Sequence, residues 1–247
     1  MLSATQKDRY ARHLLLEGVG ETGQQKLLAG SVLIIGAGGL GSPALFYLAA
    51  AGVGRIGIAD SDRVELSNLQ RQIIHSTPRL GELKAVSARA ALQPLNPDVL
   101  VEIHPLRIAA ENITPLLAAY DFVIDATDNF ESKFLINDAC AAVGRSYSHG
   151  GILRFSGQTM TVIPGESPCY RCIFPEAPED DVAIACSSAG VLGVLPGIIG
   201  TLQATEAIKY LLGIGSLLTG RLLTYDAASL KFREIPLQRN PHCPACS

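Results

Sequence analysis

The clearest pattern along the chain is an apolar run, Val32, Leu33, Ile34 and Ile35, that ends in Gly36, Gly38 and Gly41. An unbroken apolar run closed by glycines predicts a strand, and SPALFYLAAAGVG behind it predicts a helix over 40–52 packed closely on that strand. The same texture repeats downstream. RIGIAD reads as a strand ending at Asp60, residues from about 81 to 95 as a helix, and VLVEIHP as a third strand. A short helix over 112–119, the strand DFVIDAT, a helix over 130–143 and a strand near 145–149 follow. Ahead of all these, a polar segment over 3–28 that includes Leu14, Leu15 and Leu16 predicts an N-terminal helix. Alternating strands and helices predict a parallel sheet with right-handed crossovers. After Gly150 the pattern changes: QTMTVIP, RLLTYDA and KFREIPL alternate and are separated by short turns, which suits antiparallel strands. A long helix near 190–212 lies between them, and the acidic, Pro-rich PEAPEDD (175–181) predicts a mobile loop. The expected fold class is α/β, a Rossmann-like nucleotide-binding parallel sheet extended by antiparallel strands. It forms one domain over 1–247, with a nucleotide-binding half over about 30–150 and a second half over about 151–247.

Composition narrows the reading. With 48% hydrophobic and 17% charged residues in 247, the chain can bury a sizeable core. A net charge of −3 gives no basis for nucleic-acid binding. The start, MLSATQKDRYARH, lacks the apolar core of a signal peptide, and the most apolar stretch, around 191–202, is too short to span a membrane. A cytoplasmic protein with no membrane partner is expected.

The glycine turn can bring backbone N–H groups and a helix N-terminus close to phosphate oxygens. Asp60, about 20 residues further on, is placed to bond a ribose hydroxyl, which NAD and ATP share. Asn68, Arg71, Lys84 and Asp128 discriminate between them, because each falls at or soon after the C-terminal end of a predicted parallel strand. A triphosphate about to be split needs added cations and a carboxylate for Mg²⁺, which Arg71, Lys84 and Asp128 can supply. Each alone reads equally as a solvated surface charge; together on one sheet edge they favour ATP.

Six cysteines in such a chain point to metal or catalysis before disulfides. CYRC and CPAC give two C-x-x-C pairs, Cys169 with Cys172 and Cys243 with Cys246, which match a closed tetrahedral zinc site. A redox pair is the rival, but redox motifs seldom come as two matched pairs. Cys140, inside a predicted helix, reads as a core residue, and His149 in SHGG as structural. Cys186, just ahead of a helix expected to begin near Ser188 or Ala189, is placed where a helix N-terminus lowers a thiol pKa.

GAGGLG, the Asp60 strand end, SNLQRQ, Lys84, DATDN (125–129), the CYRC/CPAC pair and GTLQATEAIK (200–209) together resemble the MoeB/ThiF family, relatives of the adenylation domain of ubiquitin-activating enzymes. The resemblance runs from about Arg9 to Cys246. It implies ATP- and Mg²⁺-dependent adenylation of the C-terminal Gly-Gly carboxylate of a small ubiquitin-like sulfur carrier, with release of pyrophosphate. The carrier would then receive sulfur for thiamine, molybdopterin or related biosynthesis. The implied ATP site comprises Gly36, Gly38, Gly39, Gly41, Asp60, Ser67, Asn68, Arg71, Lys84, Asp128 and Asn129, with Asp128 toward magnesium. Arg12, in RYARHLLL, matches an arginine donated across a homodimer to the partner's ATP. Cys186 matches a ThiF-type thiol that can bond covalently to the carrier, and the second half of the chain would bear the zinc and bind the carrier. No rhodanese-like segment is present, so sulfur is expected from a separate protein. Two other readings remain open at this point: an NAD(P)-dependent oxidoreductase, and a non-catalytic scaffold of the same fold.

Overall fold

The computed structural model describes residues 1–178 and 189–246. In chain order the elements are α1 (Ala4–Arg9), α2 (Ala11–Leu14), α3 (Gly20–Ala29), β1 (Ser31–Ile35), α4 (Gly41–Ala51), β2 (Arg55–Ala59), α5 (Lys84–Leu95), β3 (Leu100–His104) and α6 (Ala110–Ala118). Then come β4 (Phe122–Asp125), α7 (Phe130–Val143), β5 (Tyr147–Leu153), β6 (Ser156–Val162), α8 (Tyr170–Ile173), α9 (Leu195–Leu212), β7 (Arg221–Asp226) and β8 (Lys231–Pro236). All eight strands form one sheet in the order β3-β2-β1-β4-β5-β6-β7-β8. Pairing is parallel from β3 to β5 and antiparallel from β5 to β8, as the change of texture after Gly150 predicts.

The apolar runs of β1 and β4 are buried along their whole length because both sheet faces are covered. On one face Val32, Ile34, Ile56 and Ile58 pack with Leu45 and Leu48 of α4 and with Ile199 and Ala207 of α9. On the other, Leu33, Ile35 and Val123 pack with Ile113 and Leu117 of α6, with Phe134 and Ile136 of α7, and with Tyr170 of α8. Cys140 is fully buried in this second core, as its helical context predicts. Strand β5 carries a parallel partner on one side and an antiparallel partner on the other, so the sheet is continuous across position 150.

Several boundaries differ from the sequence reading. The N-terminal segment is three short helices: α1 is capped at Tyr10 (φ −99°, ψ 13°), and Gly18 and Gly20 take positive φ (82° and 54°) at the break that opens α3. Leu15 and Leu16 fall in that break and are exposed. The second helix of the parallel unit, α5, starts at Lys84 rather than near Gly81, and strand β5 continues to Leu153 instead of ending near 149. Helix α9 begins at Leu195 rather than near 190, with Pro196 in its first turn, where a missing N–H costs nothing. Residues before it instead run alongside the β5–β6 hairpin through an Arg154–Val191 bridge. Cys186, Ser188 and the end of the acidic stretch from residue 179 lie outside the described residues.

Candidate functional site

The sheet order reverses between β1 and β4, and in such sheets ligands bind beyond the C-terminal strand ends at that point. A cleft of about 1730 Å³ opens there. Its wall begins at the turn after β1. Gly36 has φ +100°, and a Cβ on it would lie 2.7 Å from the Ala126 carbonyl oxygen, so no side chain fits. Gly41 does not line the cleft; a Cβ there would collide with the Gly36 carbonyl, so its work is to let α4 pack against the turn. Asp60 braces the turn: Oδ2 accepts the Ala37 N–H at 2.8 Å and Oδ1 accepts the Asp62 N–H at 2.8 Å. Burial raises the Asp60 pKa above the usual carboxylate value, against those two hydrogen bonds.

Gly36, Gly38, Gly39, Asp60, Arg71, Lys84, Asp128 and Asn129 all line the cleft, so the structure brings together most of the residues singled out from sequence. Lys84 is the first residue of α5 and is buried, with Nζ 2.9 Å from Oδ2 of exposed Asp62. Arg71 packs its stem beside Gly39. Asp128 is exposed and takes part in no hydrogen bond or ion pair among the described residues. Asn129 caps α7, its Oδ1 accepting the Ser132 N–H at 2.9 Å. Ser67 and Asn68 lie on a 3₁₀ turn away from the cleft wall, joined to it through Arg71, whose Nη1 donates to the Ser67 carbonyl. Arg12 is exposed on α2 and is not among the cleft residues of its own chain.

Sequence reasoning missed several residues that line or support the cleft. Gln72, the last residue of SNLQRQ, is 5% exposed; its Nε2 lies beside Gly38, and its Oε1 has no hydrogen-bond partner among the described residues. His75 ties the turn to α5, with Nε2 2.9 Å from the Ala37 carbonyl and Nδ1 2.9 Å from Ser87 Oγ. Under the cleft, Asp125 at the end of β4 meets Lys133 of α7 and His149 of β5, all three buried. Burial alone would push the Asp125 carboxyl upward, but the Lys133 ammonium and the His149 and Thr127 hydrogen bonds outweigh it and hold it far below the usual range. Burial and the Lys133 charge lower the His149 pKa, so the ring is neutral and its Nδ1–H donates to Asp125 Oδ2 at 3.0 Å. His149 therefore belongs to the cleft floor, where the sequence reading had it only as structural.

The cleft continues over the antiparallel strands. Gly151, Gln158, Thr224 and Arg233 are direct neighbours across β5, β6, β7 and β8, and all four line it. This row floors a trough that is continuous with the glycine-turn end of the cleft.

At the far end of the second core, Cys169, Cys172, Cys243 and Cys246 converge, their sulfur atoms all within 4.8 Å of one another. The Sγ separations are 3.5 Å for Cys169–Cys243, 3.4 Å for Cys172–Cys246 and 3.9 Å for Cys169–Cys172. Four sulfurs at ~2.3 Å around a tetrahedral ion lie about 3.8 Å apart, so this donor set fits zinc with no open position.

The chain matches the ThiF family over residues 10–245. It belongs to that family. Among similar proteins, the SAMP-activating enzyme E1 of Haloferax volcanii is 50% identical over 245 residues, covering 99% of this chain and 90% of that protein. The sulfur carrier protein adenylyltransferase of Thermus thermophilus is 49% identical over 244 residues, covering 97% and 90%. A solved structure of E. coli MccB with ATP has the same fold, with a TM-score of 0.85 at 23% identity, covering 97% of this ThiF-family chain and 74% of that one.

Proposed function

We propose that this ThiF-family protein uses ATP and Mg²⁺ to adenylate the C-terminal Gly-Gly carboxylate of a small ubiquitin-like sulfur carrier, releasing pyrophosphate. The observation that carries the reading is the continuity of the cleft, from the glycine turn with Arg71 and Lys84 to the open trough over β5–β8. A nucleotide fits the first end, and an extended, side-chain-free tail fits the second. Adenylation of a carrier protein is also what the relatives' names support. An oxidoreductase would need neither the trough nor the paired cysteines.

The chemistry needs no general base, because a C-terminal carboxylate is ionised at pH 7. One of its oxygens forms a bond to the α-phosphorus as the bond to the β-phosphate oxygen breaks, and the electron pair leaves with pyrophosphate. No proton moves. The barrier is repulsion between anions, so positioning and fixed positive charge do the catalytic work. Arg71 and Lys84 supply that charge, with Lys84 exchanging Asp62 for a phosphate oxygen. The carboxylate of Asp128, without a partner among the described residues, fits the one or two carboxylates with which Mg²⁺ on substrate phosphates is held, and the ion would neutralise phosphate charge. Arg12, exposed beside Leu15 and Leu16, reaches the partner's site in a homodimer.

The four cysteines hold structural zinc and keep the C-terminal segment against the carrier-binding half. Cys186 is the thiol for any covalent carrier adduct, and a separate protein donates the sulfur used in thiamine, molybdopterin or related biosynthesis. The test is isotope exchange between ATP and pyrophosphate with a Gly-Gly-ending carrier from the same organism. Carrier-dependent exchange supports the reading. No exchange, with NAD(H) absorbance changes instead, rejects it.

A further inference from the structure

Lys133 lies on α7, in the polar-looking stretch FESKFLIN, where it reads as a surface residue. In the fold it is 8% exposed and lines the cleft. A cation there invites the assignment of a phosphate ligand. Its hydrogen bonds argue otherwise. An ammonium has three donors, and Lys133 uses all three inside the protein. Nζ donates to Asp125 Oδ2 at 3.1 Å, to the Thr127 carbonyl at 2.8 Å and to the Gly150 carbonyl at 2.6 Å. Taking a phosphate oxygen would leave one of those buried acceptors unpaired.

What Lys133 holds follows from its partners. Asp125 ends β4, Gly150 lies on β5, and Thr127 immediately precedes Asp128. The turn is gripped a second time by Asp125 Oδ1, which accepts the Thr127 N–H at 3.0 Å and the Thr127 hydroxyl at 2.6 Å. His149 completes the set on Oδ2. Among the described residues Asp128 has no hydrogen-bond or ion-pair partner of its own, so its position is inherited from the backbone of this turn.

We infer that Lys133 is a positioning residue: it fixes the Ala126–Thr127 turn that presents Asp128 to the nucleotide, and ties that turn to β5, the strand that opens the carrier trough. The inference rests on the adenylation reading for the role of Asp128. It adds that the two ends of the cleft share one buried cation and move as one body.

The probe is Mn²⁺ with α,β-methylene-ATP, which binds without turnover, and the readout is free Mn²⁺ by electron paramagnetic resonance. Asp128→Asn and Lys133→Met should each weaken Mn²⁺ binding roughly 10-fold or more, the usual scale for a lost ligand support. Together they should weaken it little further, because both act through the same carboxylate. Nucleotide affinity without metal should change less than about threefold, and Lys133→Arg should restore part of the Mn²⁺ affinity. Unchanged Mn²⁺ affinity in folded Lys133→Met, or effects that multiply in the double variant, would overturn the inference. If Lys133→Met does not fold because Asp125 is left unpaired, Asp125→Asn/Lys133→Met removes both charges and must bind Mn²⁺ more weakly than Asp125→Asn alone. Wild-type protein that binds no Mn²⁺ with the analogue would instead sink the adenylation reading, and this inference with it.

Discussion

Removing Cys243 should unfasten the end of the chain. The residue is fully buried, and its sulfur lies 3.5 Å from that of Cys169, 74 positions earlier. Cys172 and Cys246 repeat the same 74-residue closure. The chain-entropy model for a cross-link closing a loop of that length gives about 4.5 kcal/mol at 25 °C. In a chain of this size 1 kcal/mol moves the melting temperature by about 2–4 °C, so the tie is worth about 9–18 °C. An ion held by the four thiolates would close the loop as a disulfide would, and its binding free energy would count toward folding. Cys243→Ser, or treatment of the wild type with a strong chelator, should therefore lower the melting temperature by roughly 10 °C or more. Zinc should be released at about one ion per chain in a colorimetric assay with pyridylazoresorcinol. Cys140→Ala, a buried thiol outside the cluster, should keep its zinc. Wild-type protein that carries no zinc as purified, or that melts within about 2 °C of its chelated form, would refute the reasoning.

Arg71→Ala and Lys84→Ala should each cut carrier-dependent pyrophosphate exchange by roughly 10²-fold, the usual loss for one preorganised charge contact; near-normal exchange in both would remove that edge from the ATP site. Arg12→Ala and Asp128→Ala, each inactive alone, should recover activity when mixed, because one site of a mixed dimer is whole. With random exchange about half the dimers are mixed, giving about a quarter of wild-type activity per total sites; no recovery despite subunit exchange seen by native mass spectrometry would mean that Arg12 does not act in trans. Burial is the first cause that lowers the pKa of His75, His104 and His149. Each stays neutral when folded while the unfolded chain takes up a proton, so stability is present above the ordinary histidine value near 6.5 and is lost as pH falls below it. The melting temperature should drop from pH 7 to 5, and a flat or rising profile would contradict the assignment.

Much of this site was legible because it depends on local backbone chemistry. The Gly36–Gly41 turn, the strand-end Asp60 and the helix Phe130–Val143 each carry their own signal in spacing or period. The two C-x-x-C pairs were legible for another reason: four thiols in matched knuckles have few uses other than a metal. What sequence concealed depends on tertiary placement. Lys133 looks like any helix-surface lysine, and only the fold of β5 beside β4 supplies the Gly150 carbonyl and Asp125 that bury it. The trough row could not be read either, since it needs the register of four strands. The broken N-terminal helix was a misjudged balance, in which Gly18 and Gly20 outweighed the surrounding helical residues.

The central claim, that the cleft joins a nucleotide to a carrier's carboxylate, is tested most directly by the product itself. The protein, ATP, Mg²⁺, pyrophosphatase and a Gly-Gly-ending carrier from the same organism should yield carrier heavier by one AMP unit in intact-protein mass spectrometry. Hydroxylamine should remove the added mass, and a carrier lacking its terminal glycines should never acquire it. A carrier mass that stays unchanged while the protein binds both ATP and the carrier would contradict the account.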